Sequence, residues 1–113
     1  MKQNFHFFLL HRYCSQNVLL TNKSPNNCVV LKTAGDPVFL IENFVENEDG
    51  AFIVGRSFEE WGDFFDFPLP SREIGTFQVR ELSKDLQGLS VDAIRGKGMK
   101  ISLKNGLFCV SSL

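Results

Sequence analysis

Residues 39–70 read FLIENFVENEDGAFIVGRSFEEWGDFFDFPLP. Two apolar, β-branched runs meet at Asp49-Gly50, and the second leads into a dense block of aromatics and carboxylates. Asp-Gly between such runs predicts a hairpin with a type I′ turn, because that turn needs positive φ at both central residues. The rest of the chain keeps the same rhythm. Short β-prone runs at 5–10, 17–20, 28–32, 38–45, 51–57, 75–79, 99–103 and 107–111 are separated by Gly, Pro, Asn and Asp. Asn105-Gly106 between KISLK and LFCVS predicts a second hairpin. Few windows carry a 3.6-residue apolar period, so the pattern is all-β.

Two places depart from strand rhythm. Phe58, Trp61, Phe64 and Phe65 stand at offsets of 0, 3, 6 and 7. That spacing predicts one or two helical turns, ended at Phe67-Pro68 because a residue before proline is pushed out of the α region. Ser90 to Ile94 predicts a shorter 3₁₀ or α turn. The expected inner face consists of Val29, Leu31, Phe39, Ile41, Phe52, Val54, Phe77, Val79, Ile101 and Leu103, which alternate along their runs.

At 113 residues the chain is expected to form one domain, with residues 1–26 packing on or extending the barrel. Twelve phenylalanines against one Trp and one Tyr must sit inside or on a partner surface, since phenylalanine has no polar handle. A net charge of −1 argues against a general nucleic-acid binder, which needs a clear excess of Lys and Arg. Three widely spaced cysteines, with no CxxC, make neither a disulfide framework nor a zinc site. An intracellular setting, nuclear or cytoplasmic, is expected. The apolar run at 7–10 is too short for a signal sequence, and nothing approaches the ~20 apolar residues of a membrane span.

No nucleophile–base pair assembles. The only histidines are His6 and His11, and on a strand His11 and Cys14 point to opposite faces. The carboxylates Glu46, Glu48 and Asp49, then Glu59, Glu60, Asp63 and Asp66, match no cation loop. No catalytic residue, metal or other cofactor is expected. Gly96-Lys97-Gly98 lacks the phosphate-loop frame. Arg95, Lys97, Lys100 and Lys104 form the one basic concentration, read either as a solvated outer face or as a contact for phosphate or an acidic partner. On a strand, Lys100 and Lys104 share a face opposite Ile101 and Leu103. Trp61, Phe64, Phe65 and Phe67 form either a plug for an open barrel end or a partner-binding surface.

From Asn27 onward, the order of motifs resembles a bromo-adjacent-homology (BAH) domain. NCVVLKTAGDPVFLIENFVENEDGAFIVGRSF is similar to that family's opening, SREIGTFQV to its "n-E-l-f-l-s" segment, and VDAIRGKGMKIS to "l-x-x-I-x-G-K-C-x-V". Gly98 stands where the family usually has cysteine, and the family's longer C-terminal part is missing. The chain also resembles a C-terminal β-rich segment of uncharacterised, transposon-related animal proteins. Its "y-x-S", "N-x-x-v-x-L-x-d-G", "I-x-n-F" and "d-F-F-x-y-P-l-x-S" elements match 13–15, 27–35, 41–44 and 63–71. The resemblance implies a small antiparallel β-barrel or pair of curved sheets, SH3/BAH-like, and a non-enzymatic module that binds a protein or peptide, chromatin-associated in the BAH case. The alternative is a nucleic-acid accessory domain using the basic residues. No membrane partner is expected.

Overall fold

The computed structural model describes residues 8–10, 12–15, 18–21, 23, 24, 26–33 and 35–112, with side chains from Leu20 onward. His6, His11 and the first half of the expected strand at 5–10 lie outside the described residues. Ten strands follow in order: β1 Phe8–Leu10, β2 Arg12–Ser15, β3 Val18–Thr21, β4 Cys28–Leu31, β5 Val38–Asn47, β6 Gly50–Asp63, β7 Thr76–Leu82, β8 Gln87–Ser90, β9 Ile94–Ser102 and β10 Phe108–Ser112. Two 3₁₀ turns, Ser71–Ile74 and Val91–Ala93, interrupt them. The all-β architecture is the one expected. The sheet runs β1-β5-β4-β9-β10-β7-β6-β8, and an added β5–β6 pairing closes part of it into a ring of β5, β4, β9, β10, β7 and β6. Among the described residues, strands β2 and β3 pair only with each other.

Both expected hairpins form, with different turns. At Asn105-Gly106 both residues take positive φ (56° and 75°), and Leu107 N donates to Lys104 O at 3.1 Å, giving the type I′ geometry. The other turn corrects the expectation. Asn47 pairs with Gly50, so Glu48 and Asp49 form the loop, and only Gly50 takes positive φ. Asn47 Oδ1 accepts from Asp49 N at 2.8 Å, an Asx turn that holds the loop one residue earlier than Asp49-Gly50.

The helical turn expected over 58–65 is absent: residues 58–63 continue β6 and pair with β7. The ladder goes from Phe58↔Leu82 to Glu60↔Arg80, skipping Glu59 and Glu81, and Glu81 takes φ 64°. That irregularity breaks the alternation. Phe58 and Trp61 therefore pack against the same cluster three residues apart, a spacing that imitates one turn of helix.

The core is double. Cys28, Val30, Val38, Phe58, Phe77, Val79 and Val110 pack inside the ring, with Leu40, Trp61 and Phe108 against them. Leu20, Val29, Leu31, Phe39, Ile41, Phe44 and Ile53 pack on the opposite face of β4 and β5, covered by Leu89, Val91 and Ile94. The expected single inner face therefore divides between two cores. On β6 it shifts by one residue: Ile53 is buried, whereas Phe52 and Val54 are only half-buried. Cross-strand partners share a face, so buried Phe39, Ile41 and Phe44 bring Ser57, Gly55 and Ile53 with them. At the end of β9 the expectation is reversed, with Ile101 and, just beyond the strand, Leu103 exposed. Gly98 supplies the inward position on that strand. A Cβ on it would meet Val110 Cγ1 at 2.9 Å and Cys28 Sγ at 3.2 Å.

Candidate functional site

Strand β6 delivers the chain into a loop that returns to β7 through the 3₁₀ turn. Ser71, fully buried, organises that loop. Its Oγ accepts from Phe64 N (2.7 Å) and Phe65 N (3.3 Å) and donates to Thr76 O (2.9 Å), while its own N–H donates to Phe65 O (2.8 Å). Asp63 Oδ1 accepts from Arg72 N at 2.9 Å and lies 3.8 Å from Arg72 Nε. Asp63 and Ser71 are the two ends of the DFFDFPLPS segment, so both its termini are tied to the barrel. With its polar groups satisfied from within, the loop points its phenylalanines at solvent. Phe64 is 45% exposed, Phe65 38% and Phe67 80%. Exposed Ile74 belongs to the same loop.

Trp61 behaves differently. It is half-buried on the ring core and meets Phe77 edge-on, with centroids 6.0 Å apart and planes at 78°. The four aromatics singled out by sequence thus divide into one packing ring and three surface rings.

The basic residues also disperse. Arg95 and Lys104 are exposed, and Lys97 Nζ donates to Asn26 Oδ1. Lys100, at the even-numbered positions of β9 with Gly98, turns to the ring side, its Nζ 4.9 Å from the Phe108 centroid. The structure does not gather the four into one patch. Lys100 instead lines a groove of about 460 Å³ with Leu40, Phe58, Phe108, Arg80 and Glu81. Phe58 and Phe108 stack obliquely there, 5.7 Å apart. Sequence reasoning missed Arg80. In the ladder it faces Glu60, an ordinary charge pair on paper, yet among the described residues Arg80 makes no ion pair and its Nε is buried without a hydrogen bond.

Cys28 lies under the same core. Burial pushes its thiol up to about 12, with Lys100 acting in the opposite direction, so it stays a neutral packing group. Among the described residues no group of three or more His, Cys, Asp or Glu converges on a metal-sized site, and no helix is long and apolar enough to cross a membrane. The arrangement offers two kinds of contact: exposed rings on a braced loop, and an apolar groove with cations at its edge.

Neither the curated proteins nor the solved structures contain a match to this chain. A family model does match, over residues 2–113 and hence nearly the full length, and the chain belongs to that family, described as domain of unknown function DUF8592.

Proposed function

We propose that this chain is a non-enzymatic interaction module that captures a protein or peptide through the loop following β6. One observation carries the reading: Phe64, Phe65 and Phe67 are exposed on a loop whose backbone is fixed by buried Ser71. Clustered exposed apolar side chains mark contact surfaces, and aromatics are frequent anchors of such surfaces. A fixed loop also loses little conformational freedom on docking, which leaves more of the contact energy as affinity. The BAH-like order of motifs supports the same class of function and makes chromatin proteins the first partners to try.

Peptide display against the folded domain tests this. Wild type should enrich a family of apolar or aromatic peptides. A Phe64→Ser/Phe67→Ser variant should bind them at least about tenfold more weakly, with its thermal transition unchanged because both rings are solvent-facing. Equal binding by the variant, or no enriched family, would overturn the proposal.

A further inference from the structure

We infer that the groove at the end of the ring binds an organic acid, a carboxylate carried on an apolar body. Its floor is apolar, built from Leu40, Phe58 and Phe108. Its size, about 460 Å³, falls within the ~300–1,000 Å³ of small-ligand pockets. Two cations, Arg80 and Lys100, line it against one carboxylate, that of exposed Glu81. Neither cation has an ion-pair partner among the described residues, and Arg80 Nε is a buried donor with nothing to bond. Buried donors are rarely left unpaired in folded proteins, and planar guanidinium is shaped to take a planar carboxylate edge-on. Arg80 lines the groove, so its guanidinium is the group there that would take such an edge. The ligand's apolar part then lies against Phe108, beside the ammonium of Lys100.

Backbone strain coincides with the site. Glu81, next to Arg80, holds φ 64°, a conformation that non-glycine residues seldom adopt and that tends to occur at functional positions. A polyanion does not suit this groove, since two cations above an apolar floor match one carboxylate better than a phosphate chain. The inference is independent of the Phe64–Phe67 reading, because none of those rings lines the groove.

Titration of the whole chain with 3-phenylpropionate, followed by calorimetry and by backbone amide shifts, tests it. Saturable binding should move the amides of Leu40, Arg80, Lys100 and Phe108, and 3-phenylpropionamide should bind about tenfold or more weakly. Arg80→Gln and Lys100→Gln should each weaken binding about tenfold. Both variants are checked for an unchanged thermal transition, and a Phe67→Ser control should bind as wild type does. A parallel arm uses a short peptide ending in phenylalanine, with a free or an amidated C-terminus. Preference for the free acid or for the free-ended peptide identifies the natural source of the carboxylate. If neither binds, or if the amides bind as well as the acids, the inference is wrong.

Discussion

The two apolar clusters stand back to back across β4 and β5, yet they are closed by different means. The ring cluster is surrounded by strands each hydrogen-bonded to the next. The outer cluster is roofed by Leu89 of β8, Val91 of the second 3₁₀ turn, Ile94 and Leu20 of β3. Of these, β8 lies at the end of the sheet order, and among the described residues β3 pairs only with β2. One core is therefore held by ladders on all sides, while the roof of the other is laddered along one edge only, Leu89 to Ile53 and Ile94 to Leu31. Local opening should begin where few ladders hold the chain, at the outer roof.

The largest effect is expected from Phe39→Ala, which removes a fully buried ring from the outer cluster. A loss of about 3–5 kcal/mol in urea denaturation is expected. Amide exchange in the same variant sharpens the contrast: β8 and Val91–Ala93 should lose protection well before β10. Uniform loss across all strands would mean that the clusters open as one, and the comparison would fail.

A smaller change probes the ring. In Gly98→Ala the new methyl is forced against Val110 and Cys28, both fully buried, so the cost should be about 1–3 kcal/mol. Protection should fall together in β4, β9 and β10, since all three meet at that point. Stability equal to wild type would show that the ring interior has room to spare.

The last effect is one of slope, nil at neutral pH and growing only in alkali. The Cys28 thiol rises from an ordinary 9.0 to about 12 when folded. Below pH 9 both states keep the proton, and the thiol adds no pH dependence. Between pH 9 and 12 the unfolded chain releases a proton that the folded chain retains. Stability therefore falls as pH rises, by on the order of 1 kcal/mol per pH unit from this group. Cys28→Ala lowers stability overall but should show a shallower decline above pH 9. Parallel profiles would mean that the thiol is open to solvent.

How far these features could be read from the chain varies with the residue. Asn105-Gly106 announced its turn correctly because both residues tolerate positive φ and nothing nearby competes. Asp49-Gly50 announced a hairpin but not its turn, because Asn47, two residues earlier, caps the loop with its own side chain. CVVL of β4 was legible as buried strand, but a run buried on both faces gives no hint that the faces belong to different cores. Strands β2 and β8, RYCS and QGLS, were missed, being short and mixed in polarity. The exposed phenylalanines could be noticed as a cluster, whereas Ser71, which fixes their loop, looks like any serine. Arg80 gave no signal, because being unpaired is a property of its surroundings.

Alternating apolar residues and Gly/Asn turn pairs determined, from the chain alone, that it is a β protein with one hairpin near Asp49-Gly50 and another at Asn105-Gly106. Backbone sterics and side-chain period act over a few residues, so they can be read locally. Which face of each strand is buried, where the ladder skips a residue at Glu59 and Glu81, and which rings and cations meet in one groove were decided only when distant strands paired. Register depends on partners far away in sequence, and one extra residue on a single strand, as at Glu42 where the β5–β6 register shifts, exchanges the two faces of everything beyond it.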